Sequence, residues 1–248
     1  DLLLWVVTAA ALVVLFIFAR ENYLSTPVKA VNLLPETGSG FVETSVLSQE
    51  IEAYCTKSEI GTVDMIKIQR HLSANPWIES SSTYIDLDGN LNVRYKEYNP
   101  LFRVFGNKGH SVYVTDKGVV IPSCAHYTPY VLVASGNFDV KTDSASYILC
   151  DTLDSDHNLL SALHWIKAIE ANTFIANCVG QLYCNNKNQF ELTVKGLDAR
   201  IIVSDTCLAS DKLNRLEIFM KQRISKPETQ TLKIINLNYK NQIVCTKR

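Results

Sequence analysis

Five histidines and seven cysteines are the side chains best able to ligate a metal or act as nucleophiles, and their spacing organises neither chemistry. His71, His110, His126, His157 and His164 form no His-x-x-x-His or His-Glu-x-x-His pattern. His157 and His164 stand seven apart on one expected helix, two turns from each other and too distant to share an ion. Cys124-x-His126 offers half a metal site without a matching half. Cys55, Cys124, Cys150, Cys178, Cys184, Cys207 and Cys245 contain no Cys-x-x-Cys pair, which removes the basis for a zinc ribbon or a dithiol redox motif. An odd count leaves at least one thiol unpaired in an oxidising compartment. Cys178 and Cys184 flank a short strand and either pair there or remain small buried thiols. Asp151, Asp154 and Asp156 precede a helix, where capping and the helix dipole account for them without a cation. Asp86 and Asp88 bracket a glycine turn that favours aspartate for backbone reasons. Neither a Gly-x-Ser-x-Gly elbow nor a Ser-x-x-Lys motif with its Lys-Thr-Gly box is present. The expectation is a protein without catalytic residues, cofactor or metal.

The elements that position these residues begin with an apolar run. Leu2–Ala19 has Thr8 as its only hydroxyl and is closed by Arg20-Glu21. At about 18 residues it suffices for a spanning helix, the more so if it extends upstream of Asp1. No small-x-small cleavage site follows, which favours an anchor over a cleaved signal. A net charge of -1 excludes a field that would draw nucleic acid or an anionic surface.

After a polar linker at 21–27, Val28–Leu34 reads as a strand, Val46–Tyr54 as a short amphipathic helix and Thr62–Ala74 as a second helix. Met65, Ile68 and Leu72 supply one helical stripe, with Val63 and Ile66 beside it, and Asn75-Pro76 stops the helix. Ser82–Leu87 and Asn90–Tyr98 flank Asp88-Gly89, a strong hairpin signal. Thr83, Ile85 and Leu87 share one face, as do Leu91, Val93 and Tyr95, leaving Asn92, Arg94 and Lys96 to solvent. The order is strand, helix, helix, strand, strand, with both helices on one sheet face.

Beyond Val104 the texture is mostly strand. Ser111–Thr115 and Val119–Pro122 form a hairpin, and Val131–Ser135 is a short strand. Asn158–Asn172 is a helix with Leu159, Leu163, Ile166 and Ile169 inward and Ser155 or Asp156 as its cap. Val179–Cys184 and Phe190–Lys195 form another hairpin, and Ala199–Ser204 is a strand. Asp211–Ile224 is a helix burying Leu213, Leu216, Met220 and Ile224, and strands Thr231–Asn238 and Asn241–Thr246 end the chain. The fold class is α+β.

Several motifs fall in an order that resembles one family. They are Val63–Pro76 before Trp77, the hairpin through Asp88-Gly89-Asn90-Leu91-Asn92-Val93, and Asn99-Pro100-Leu101-Phe102-Arg103-Val104. Tyr113–Pro122 and Asp211–Met220 follow, and then Ile235–Val244. The set resembles the bacterial cell-division FtsQ/DivIB family, in the form seen in Bacteroidetes-like sequences. Asn238 stands where the family usually carries the arginine of an Arg-Tyr pair, and the arginine of the exit segment is replaced near Tyr98-Asn99.

The resemblance implies a transmembrane helix at 1–20, a linker at 21–27, a POTRA domain at 28–103 and a β-rich domain with two helices at 104–248. It implies a single-pass inner-membrane protein with its C-terminal domains in the periplasm at the division septum. Its role would be that of a non-enzymatic scaffold recruiting FtsB- and FtsL-type coiled-coil partners, which regulate the septal peptidoglycan synthase FtsW–FtsI. The family's mode of contact, addition of a partner strand to the last strand, places Tyr239, Asn241, Gln242, Ile243 and Val244 along the docking edge. Ile243 and Val244 fit sheet core equally well. Two other functions compete. A POTRA-bearing translocation or assembly component would show tandem POTRA units or a terminal barrel. An anchored envelope hydrolase would gather Cys124, His126 and an acid in one pocket.

Overall fold

The computed structural model describes residues 2–37, 40–55, 58–107, 109–140, 145–149, 154–204, 207–223 and 231–247. Its architecture is α+β, and the chain divides into two compact units, residues 1–98 and 99–248, each with its own hydrophobic core. Cys150, Asp151, Ile224 and the Gly38-Ser39 half of the glycine loop lie outside the described residues.

In the first unit, α1 (Leu2–Leu24) runs past the expected span into the linker, because Glu21–Leu24 contains no glycine or proline to stop it. Ser25 and Thr26 hydroxyls then donate to the Asn22 carbonyl, and Pro27 follows the helix. Helix residues Leu4–Leu24 contain an 18-residue window of mean hydropathy 2.0 and are long and apolar enough to cross a membrane. Next come β1 (Val31–Pro35), α2 (Thr44–Cys55), a 3-10 turn (Ile60–Thr62), α3 (Met65–Ala74), β2 (Ile78–Ile85) and β3 (Leu91–Glu97). The strand order is β1-β3-β2, with β1 parallel to β3 and β2 antiparallel to it. Leu47, Ile51 and Cys55 of α2 and Ile68 and Leu72 of α3 join Leu91, Val93 and Tyr95 of β3 in one core. Buried Glu97 accepts from the backbone N–H groups of Phe41 (2.8 Å) and Val42 (3.4 Å), which ties the entry to α2 to the end of β3.

Four local expectations are corrected here. The second helix starts three residues late, because Asp64 caps it by accepting from Lys67 N–H while Val63 is extended. That bond also holds the Asp64 carboxyl below its ordinary pKa. The companion stripe of Val63 and Ile66 is not a core stripe, since Ile66 is exposed. Leu87 belongs to the turn rather than a strand and is 92% exposed. Asn92, expected in solvent, is buried: its side-chain N–H donates to Asp86 Oδ2 at 3.0 Å.

The second unit carries β4 (Pro100–Phe105), β5 (Ser111–Thr115), β6 (Val119–Pro122), β7 (Leu132–Gly136), β8 (Tyr147–Ile148), α4 (Asp154–Ala171), α5 (Thr173–Cys178), β9 (Val179–Cys184), β10 (Phe190–Val194), β11 (Leu197–Val203), α6 (Ala209–Arg223), β12 (Leu232–Asn236) and β13 (Val244–Lys247). The exit segment expected to close the first domain instead opens this unit, for β4 pairs with β5 and β7. One ten-stranded sheet runs β13-β12-β11-β10-β9-β7-β4-β5-β6-β8. Buried residues of α4 (Leu159, Trp165, Ile166, Ile169) and α6 (Leu213, Leu216, Met220) pack into its core. Helix α4 already includes Asp154, so neither Ser155 nor Asp156 stands at its N-cap.

Candidate functional site: the terminal sheet edge

The groups singled out for chemistry stay apart. Among the described residues, no three of His, Cys, Asp and Glu gather to hold an ion. His157 and His164 are exposed, His126 is exposed, and half-buried Cys124 donates its thiol to the Tyr127 carbonyl. Burial pushes the Cys184 thiol up to about 11, away from the thiolate a nucleophile needs. Burial likewise raises Cys55. No disulfide joins Cys178 and Cys184; both thiols are free.

What the second unit does present is a sheet edge. Strand β13 lies at one end of the ten-stranded order and, among the described residues, pairs with β12 alone, antiparallel, with Asn236 opposite Val244, Ile235 opposite Cys245 and Ile234 opposite Thr246. Among the described residues no strand pairs with its far side, whose N–H and C=O groups are the template on which another strand can add. All four β13 residues are exposed. Behind them, α6 and β13 enclose a groove of about 520 Å³ lined by Ile218, Phe219, Leu232, Ile243 and Cys245, with Arg223 and Lys247 also lining it.

Of the five residues expected to line the edge, Val244 alone stands within β13. Tyr239, Asn241, Gln242 and Ile243 form the connection from β12, because the strand starts later than the alternation suggested. Asn241 takes the left-handed region at φ 57°, which breaks the extended run. Tyr239 and Val244 are exposed, whereas Ile243 packs against the core.

The connection is held by side chains from elsewhere. Arg215 of α6 donates from Nη1 to the carbonyls of Tyr239 (2.9 Å) and Gln242 (3.0 Å), and from Nη2 to that of Leu237 (3.3 Å). Asp211, one turn back on the helix, places Oδ2 3.3 Å from Arg215 Nε. Asn238, the departure from the family's arginine, donates from Nδ2 to Ser204 Oγ and accepts from Ser204 N–H, each at 2.8 Å. Sequence reasoning missed Arg215. Its one local signal is the Asp211–Arg215 spacing of an i,i+4 pair, which many exposed helices share.

The second unit is thus a mixed sheet backed by helices, with β13 at one end of its strand order. The chain belongs to the family described as FtsQ/DivIB, C-terminal related, whose match covers residues 99–246 and so spans the second unit almost completely. That membership gives the protein a cell-division role. No curated protein matches the chain.

Proposed function

We propose that the protein is a non-enzymatic scaffold of the divisome, which captures FtsB- and FtsL-type coiled-coil partners by adding a partner strand to β13. Through them it regulates septal peptidoglycan synthesis by FtsW–FtsI. Helix α1 anchors the chain in the inner membrane with the following residues in the periplasm, and residues 28–98 form a POTRA domain in strand-helix-helix-strand-strand order. The observation that carries this reading is the position of β13 at the end of the ten-stranded sheet, with Val244–Thr246 inside the segment that matches the family. Strand addition draws its affinity from main-chain hydrogen bonds and its specificity from alternate side chains. The groove of Ile218, Phe219 and Ile243 beside Cys245 offers a place for such a side chain.

The test is deletion of residues 241–248 from the full chain in detergent, followed by co-purification with the FtsB/FtsL pair of the same genome. Capture is expected to fall by at least about tenfold, the loss of roughly 1.4 kcal/mol or more. Retained affinity would overturn the edge-strand mode.

A further inference from the structure

Strand β13 has little of its own to keep it in place. All four of its residues are exposed, its one strand neighbour among the described residues is β12, and a register shift between Leu232 and Ile234 interrupts even that ladder. A short hairpin arm without buried side chains is marginal in water and opens locally at low cost. The connection that delivers it spans residues 237–243 and includes Asn241 in the left-handed region. Something outside the hairpin must set that path.

We propose that Arg215 is the positioning residue that holds β13 as an ordered sheet edge; the consequence for partner capture rests on the docking mode proposed above. Three carbonyls of the connection, those of Leu237, Tyr239 and Gln242, converge on this one guanidinium. The planar fork offers several donors in fixed directions and cannot lose its proton, whereas a lysine ammonium is a single point on a flexible stem. The side chain is 18% exposed and sits on α6, whose inner face is anchored by buried Leu213, Leu216 and Met220, so the clamp has a rigid base. Its bonds go to its own chain, and Arg215 therefore acts through β13 rather than by touching the partner. When the competent edge is populated only part of the time, apparent affinity falls by that fraction. The loss is in association, because an added strand locks β13 once bound.

Hydrogen–deuterium exchange on the full chain in detergent tests this without any partner. In Arg215→Ala the amides of residues 237–247 are expected to exchange about tenfold faster, with α4 and β10 unchanged. Arg215→Lys should fall between the two, and it supplies the answer if the alanine variant does not fold. Unchanged exchange at 237–247, or an equal rise throughout residues 99–247, would overturn the positioning role. A second arm measures association with the FtsB-type partner. About tenfold slower association with dissociation changed less than about twofold supports the proposal. A change confined to dissociation contradicts it. If the exchange result holds while deletion of residues 241–248 leaves capture intact, the docking mode falls and the role of Arg215 in ordering β13 stands.

Discussion

Two hairpins in this chain solve the same problem with different means. Between β2 and β3, the turn is built from its own side chains: Asp86 accepts from the Asn90 backbone N–H at 2.9 Å and from the side chains of Asn90 and Asn92. Gly89 supplies the positive φ of 87°. Strand β3 is central and buries Leu91, Val93 and Tyr95. Between β12 and β13, the connection takes its bonds from Arg215 on α6 and from Ser204 beyond β11, and the strand it delivers buries no side chain. The first hairpin is core, and its turn is bonded mainly by its own side chains, with Tyr23 Oη and Lys29 N–H also donating to the Asp86 and Gly89 carbonyls. The second is an edge fixed from behind, which leaves its outer side free. On the docking mode proposed above, covering this edge would block the partner strand, so its order has to come from the connection.

The contrast predicts a large effect at β3. Leu91 is fully buried among the helices of the first unit. Leu91→Ala should cost about 2–5 kcal/mol of that unit's stability in denaturant unfolding, as a methylene-deleting change at a closed site does. Each unit has its own core, so amide exchange across residues 237–247 should not move. An equal loosening of both hairpins would end the distinction between them.

Asp86 yields a smaller, pH-dependent effect. Hydrogen bonds, first from the Asn90 backbone and then from Asn92, hold its carboxyl at about 2, below the ordinary 3.8. A depressed folded pKa means stability that is present above the unfolded value and is lost as pH falls through the folded one. The first unit should therefore lose stability between about pH 4 and pH 2, and Asp86→Asn should remove that portion of the slope. Thermal unfolding of the two proteins across that range measures it. Parallel curves would show that the turn does not depend on the charged carboxylate.

The first hairpin was legible because its determinants are neighbours. Asp88-Gly89 announced a turn, and alternation gave Leu91, Val93 and Tyr95 their common face. The turn's length was not, since Asp86 recruits Asn90 and Asn92 and pulls Leu87 out of the strand. The same logic holds in the second unit. Strands β5 and β6 fall where periodicity put them, and the stripe of Leu159, Leu163, Ile166 and Ile169 is buried. Helix α5 was missed, because six residues rich in β-branched and aromatic types carry weak helical signal and depend on the Asn172 cap. Sheet order is likewise set by contacts distant in sequence: β9 inserts beside β7 in parallel, and nothing local encodes it. At the candidate site a final strand was legible, but it starts at Val244 rather than Asn241, and the Arg215 bonds to the connection come from a residue 24 positions before Tyr239, which no local pattern reveals.

The smallest expected effect separates the two turns most finely. Both need a left-handed residue, and the first uses glycine at position 89, whereas the second uses Asn241 at φ 57°. Asparagine tolerates that region better than other non-glycine residues but still carries a steric cost that glycine lacks. Asn241→Gly relieves this in the folded state and adds entropy to the unfolded chain, two terms of opposite sign. Where Arg215 has already fixed the path, the relief should prevail, for a gain of a few tenths of a kcal/mol in unfolding of the second unit. In Arg215→Ala the same substitution should gain less, because an unclamped connection is no longer held in the left-handed conformation whose strain glycine relieves. A double-mutant cycle reads this directly. Additive effects would mean that the helix does not set the path of the connection.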